Sequence, residues 1–148
     1  MASVLSTLAD AVVTELNAQS WDETFTAVRR DAPHFDATPT TLQVVVVPRA
    51  RGKQIIGRGH NQLDYTVDIG LRQQLAQLDV GAADANTDLD ALVALVEAID
   101  DHFDTNTLPG YATARWVGSE WVNEAELVRS AHLFAATITV TWRVLAAR

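Results

Sequence analysis

Asp64 and Asp68 stand four residues apart in a segment where Leu63, Tyr65, Val67, Ile69 and Leu71 alternate with Asp64, Thr66, Asp68, Gly70 and Arg72. In a strand, alternate residues share a face, so both carboxylates project from the same polar side. With His60 they could hold a divalent cation, the chemistry of a small metal-dependent hydrolase or nuclease. No third and fourth ligand is evident, and carboxylates on a polar strand face commonly pair with Arg on a neighbouring strand instead. The other chemical signatures are missing. His34, His60, His102 and His132 include no pair four residues apart and no H-E-x-x-H. Gly52, Gly57 and Gly59 fit neither the P-loop nor the G-x-G-x-x-G pattern, and no G-x-S-x-G occurs. There is no cysteine, hence no thiolate nucleophile or thiolate metal site. The sequence therefore assigns no catalytic, cofactor-binding or metal-binding residue, and the expectation is a protein that is not an enzyme and carries no cofactor.

Charge is the stronger signal. The chain has 148 residues, 19 acids and 11 bases, for a net charge of −8. From Gln73 to Ala114 there are eight acids (Asp79, Asp84, Asp88, Asp90, Glu97, Asp100, Asp101, Asp104) and no Lys or Arg, so the remaining 11 acids balance the 11 bases. The whole net charge lies in that segment. Asp90, Glu97, Asp101 and Asp104 follow one another at helical steps of 7, 4 and 3, one stripe opposite an apolar face. The like-charge pairs Glu97/Asp101 and Asp100/Asp104 each disfavour an isolated helix by about 0.2–0.5 kcal/mol. Three of these acids also fall at the helix C-terminus, where the dipole disfavours anions. A locally unfavourable arrangement points to a partner; the plainer reading is a solvated face that aids solubility.

Arg49, Arg51, Lys53 and Arg58 fall within ten residues of the turn-rich stretch Arg49–His60. This basic loop complements the acidic helix, and a head-to-tail contact of loop on helix between copies would be heterologous and close a ring. The expected contact residues are thus Arg49, Arg51, Lys53 and Arg58 on one side, and Asp90, Glu97, Asp101 and Asp104 on the other. Four bases on a net-acidic domain would give only weak, salt-dependent nucleic-acid binding.

The elements that position these groups follow from periodicity. Val4, Leu5, Leu8, Ala11, Val12 and Leu16 mark a helix over about 3–17. Residues 24–30 read as a short strand, and 42–47 (LQVVVV) as a strand covered on both faces. The basic stretch links it, as a long hairpin, to the alternating strand 63–72. Asn86-Thr87-Asp88 reads as the start of a second helix ending near Asp104, with Leu89, Leu92, Val93, Val96, Ile99 and Phe103 as its stripe. Residues 111–117 suggest a strand, 119–130 are ambiguous, and 134–144 alternate as the clearest strand, with Trp142 in its apolar set. Trp116 and Trp121 flank a glycine turn, where they would mark an interface or pack a loop on the sheet. One domain over 1–148 results: an α+β fold with a mainly antiparallel twisted sheet of four to six strands and two helices packed on one face. The N-terminus lacks the basic region of a secretory signal, and no stretch approaches the roughly 20 apolar residues of a membrane helix.

This order of elements resembles the small neck and tail-completion proteins of tailed bacteriophages, the tail terminators in particular. The likeness rests on the N-terminal helix, the L-x-V-x-V-P-type strand with its basic loop, Tyr65–Gly70, the helix Leu89–Phe103, the turn Trp116-x-Gly118-x-Glu120, and the strand Phe134–Arg143. The resemblance implies a structural virion protein, assembled in the host cytoplasm. Its subunits would form a hexameric ring that caps the tail tube and joins it to the head connector, with DNA passing through the lumen unread. A head-closure or other connector protein of the neck is the alternative within this class, and a metal-dependent hydrolase using Asp64 and Asp68 the alternative outside it.

Overall fold

A computed structural model describes residues 3–32, 41–75, 83–111, 113–124, 127 and 133–147. Its elements are α1 (Val4–Ala18), β1 (Ala27–Arg29), β2 (Gln43–Gly57), β3 (His60–Gln74), α2 (Ala83–Thr105), β4 (Arg115–Asn123) and β5 (Leu133–Ala147). The strands form one sheet in the order β1-β2-β3-β5-β4. β1 runs parallel to β2 and every other pair is antiparallel, so the expected α+β fold is present, with a mixed sheet.

Helix α1 begins where Ser3 Oγ accepts the Ser6 N–H at 3.0 Å, satisfying one of the free donors of the first turn. It ends where Trp21 Nε1 donates to the Leu16 carbonyl at 2.8 Å. Asn17 then binds both the N–H and the carbonyl of Ala27, at 2.8 and 3.1 Å, which ties the short β1 to the helix. Leu8, Val12 and Leu16 of α1 join Leu92, Val96, Ile99 and Phe103 of α2 in one core with alternate residues of the sheet: Val44, Val46, Tyr65, Val67, Ile69, Leu71, Phe134, Ile138, Val140 and Trp142. Both helices therefore cover the same face. Phe103 meets Trp142 edge-to-face at 5.8 Å, an arrangement that adds to plain burial. On the opposite face Val45 and Val47 are also buried, as the unbroken valine run requires.

A polar contact latches the two helices together. His102 Nε2 lies 2.7 Å from Glu15 Oε1, both side chains mostly buried, while Asn106 Nδ2 donates to His102 Nδ1 at 3.2 Å. A neutral imidazole satisfies both contacts, donating from Nε2 and accepting at Nδ1. Trp21 and Phe103 pack edge-on against the ring, each at 5.5 Å.

Several boundaries differ from expectation. Helix α2 starts at Ala83, ahead of the Asn86–Asp88 cap signal. The strand expected over 111–117 begins at Arg115 and runs to Asn123, taking in the first part of the ambiguous segment. Its register shifts between Trp116 and Gly118. Trp116 and Trp121 are an odd number of residues apart and would face opposite sides of a regular strand. The extra residue, Val117, restores them to one face, opposite Trp142 and Ile138. Both tryptophans thus pack on the core while staying partly exposed. His34, His132, Asp79 and most of 125–132 lie outside the described residues.

Candidate functional site

The stretch expected as a basic loop is strand almost throughout. β2 and β3 pair from Gln43↔Arg72 to Gly57↔His60, leaving Arg58 and Gly59 as the turn. The glycines suggested an open loop, yet β3 is itself paired with β5 as far as His60↔Ala147, and this continuous ladder carries the segment. β1 reaches only Val44–Val46 of β2, and β4 starts opposite Arg143 of β5. Beyond those points β2, β3 and β5 have only one another in the sheet among the described residues. They form a three-stranded arm in which every residue from Arg49 to His60 is exposed. From Pro48 to the turn it runs about 30 Å.

A bulge decides which way the arm's side chains point. The register shifts between Pro48↔Val67 and Ala50↔Thr66, with Arg49 as the extra residue. Past it the odd-numbered residues of β2 lie on the helix-bearing face: Arg51 opposite Tyr65, Lys53 opposite Leu63 and Ile55 opposite Asn61. Without that residue they would lie on the other face. A second irregularity at Ile56 precedes the turn. Ile55, Ile56 and Leu145, the last on β5 beside Gln62, are 58%, 47% and 60% exposed. These apolar residues were not singled out from the sequence, although Ile55-Ile56 within a glycine-rich basic stretch was a visible signal.

The structure divides the proposed contact residues. Arg49 turns to the face away from the helices, where its Nη1 lies 3.4 Å from Asp68 Oδ1 and 3.4 Å from Thr139 Oγ1. Arg51, Lys53 and Arg58 are exposed and have no partner among the described residues. On α2, Asp90, Glu97, Asp101 and Asp104 are exposed and their carboxylates have no partner among the described residues. Asp100 instead turns inward and accepts a hydrogen bond from Ser119 Oγ of β4. Alanines Ala91, Ala94 and Ala98 are exposed along the same outer face of α2.

Asp64 and Asp68 are engaged within the sheet. Arg143, directly opposite on β5, grips Asp64 through Nε–Oδ1 at 2.9 Å and Nη2–Oδ2 at 3.2 Å. These hydrogen bonds hold the Asp64 carboxyl below the usual carboxylate range, against the modest opposing effect of burial. Asp68 accepts from Thr139 Oγ1 at 2.8 Å as well as facing Arg49. The two carboxylates therefore serve separate cross-strand partners. Among the described residues no group of three or more His, Cys, Asp or Glu is placed to hold a metal ion, and His60, beside the turn, joins no such group.

No helix among the described residues is long and apolar enough to cross a membrane. Compared with known protein families and with curated proteins, the chain matches none of them.

Proposed function

We propose that this protein is a structural subunit of the tailed-phage neck, a tail terminator whose copies form a ring, cap the tail tube and offer a surface to the head connector. The observation that carries the reading is the arm. A three-stranded extension with free bases and exposed isoleucines, standing beyond the helix-covered core, is what a subunit needs to reach a neighbouring subunit. The acidic outer face of α2 supplies a surface of opposite charge on the same chain. In this reading the product is an assembly, the chain belongs to the virion, and Asp64 and Asp68 are structural. A hexamer is the expected ring, with DNA crossing its lumen and no base being read; a net charge of −8 suits passage without adhesion.

The test is tube capping. The purified chain is added to polymerising tail-tube protein from the same phage, and tube lengths and ends are imaged by negative stain. Annuli at tube ends and arrested growth are expected. Tubes that grow unchanged overturn the reading. Binding to the head connector with no effect on tubes moves the protein to the head-closure class.

A further inference from the structure

We infer that the arm of one copy docks on the outer face of α2 of a second copy, with Arg51 and Lys53 against Glu97 and Asp101 and Ile55 against the alanines beside them. This rests on the ring-subunit reading and names the contact that would build it.

The first support is what the bulge at Arg49 does. It removes Arg49 to a bond with Asp68 and gathers Arg51, Lys53 and Ile55 on one face. Two bases and a large apolar residue then project in a row, exposed and without partners among the described residues. Interfaces combine such an apolar centre with charges that fix register.

The second support is the complementarity of α2. Asp90, Glu97, Asp101 and Asp104 run along its exposed side, with Ala94 within the stripe and Ala91 and Ala98 beside it. Small side chains leave room for a strand-borne isoleucine to approach the helix, with carboxylates on either hand. The spacings also agree. Arg51 and Lys53, two residues apart on a strand, are separated by about 7 Å. Glu97 and Asp101, four apart on a helix, are separated by about 6 Å.

The third support concerns how the arm does not bind. Beyond Val46 no described residue pairs with the outer edge of β2, which would otherwise invite strand addition. It is interrupted at Arg49 and at Ile56 and carries Arg51 and Lys53, the features that blunt edge-to-edge pairing. Side-chain docking on a helix is the mode left to it. The net charge of −8 and the chain's own complementary surface favour a second copy over nucleic acid as the occupant.

The experiment is a charge swap read by sedimentation velocity at low and high salt, with circular dichroism to confirm folding. The double variants are Arg51→Glu with Lys53→Glu, and Glu97→Lys with Asp101→Lys; all four positions are exposed, so the fold should be retained. The native chain should self-associate, less at high salt. Each double variant alone should associate about a hundredfold more weakly, since like charges then face each other. The two mixed together should recover to within about tenfold of native affinity. Arg49→Gln should associate as the native chain does. Carbodiimide coupling of an isotope-labelled mixture should join Lys53 of one copy to Glu97 or Asp101 of another.

A native chain that stays monomeric at every soluble concentration at low salt overturns the inference. So do double variants that associate normally, or a mixture that does not recover. Tube capping is scored separately. An arm variant that caps tubes like the native chain overturns the docking and leaves the tail-terminator reading in place. Native copies that dock as described but leave tubes uncapped do the reverse.

Discussion

The same three strands are a core at one end and an arm at the other. At Val46, Ile69 and Ile138 the face of β2, β3 and β5 beneath the helices is fully buried. Past Pro48 the β2–β3 ladder continues through two bulges, and β2 from Arg49 to Gly57 is exposed throughout, while Leu63 and Val144 only partly pack on the core. Strand pairing is common to both ends; the difference is in what lies above and below. Backbone hydrogen bonding is thus enough to extend the sheet, while apolar burial decides where the domain's stability sits.

Truncation should separate the two ends most sharply. Trp142→Ala removes the largest fully buried side chain and its contact with Phe103, and should cost about 3–5 kcal/mol in chemical denaturation. Ile55→Ala on the arm should cost no more than about 0.5 kcal/mol, as for a surface substitution. Comparable losses at the two positions would mean that the arm is packed in solution and the contrast is false.

The latch between the helices should rank next. His102→Ala takes the 2.7 Å donor from the mostly buried Glu15 carboxylate, leaving it only Gln19 Nε2 at 3.2 Å, and removes the ring from between Trp21 and Phe103. A loss of about 1–3 kcal/mol is expected in urea unfolding. Glu15→Gln, which keeps an oxygen that can accept from Nε2–H, should lose clearly less. Equal losses would show that charge, not the hydrogen bond, joins the helices.

Asp64 stands at the boundary between body and arm, and its effect should be smaller and dependent on pH. Arg143 lowers its folded-state pKa, so the pair contributes stability when the carboxyl is ionised above its ordinary value. That contribution is lost as pH falls through the depressed folded value. Asp64→Asn should therefore be less stable than the native chain near neutral pH, by less than the His102 substitution, since the pair is about one-third exposed. The two proteins should converge in acid. A gap that is constant from neutral to acid pH would assign the loss to packing instead of the ion pair.

How far the sequence carried these features depends on the range of the interactions behind them. Leu8, Val12 and Leu16, or Phe134 through Val144, announce their elements through local periodicity, and helices and strands formed there. The hairpin between β2 and β3 is legible in the sequence, but not how far its strands run: Gly52, Gly57 and Gly59 are local turn signals, whereas β2 pairs with β3 up to Gly57 and β3 is backed along the same length by β5, some eighty residues later in the chain. The parallel strand β1 depends on Asn17 binding Ala27, again a contact between elements. The acidic stripe and the four bases were legible as exposed groups, since dense charge of one sign is visible in composition. That Arg49 would differ from Arg51 and Lys53 was not, because a single bulged residue sets it and no side-chain type signals that bulge.

The smallest expected effect concerns the acids of α2, and its sign is the opposite of the others. Glu97 and Asp101 repel across one turn, and Asp101 and Asp104 sit at the helix's negative end. Asp101→Asn should therefore stabilise the isolated domain, by about 0.2–0.5 kcal/mol in thermal or urea unfolding, and should do so less at high salt. Arg51 and Lys53 on the arm would show no such gain, since neither sits on a helix dipole. If the substitution stabilises the domain while weakening association between copies, the stripe is held against folding and in favour of a contact. If it leaves stability unchanged, the acids are well solvated where they are, and their position on α2 needs no partner to account for it.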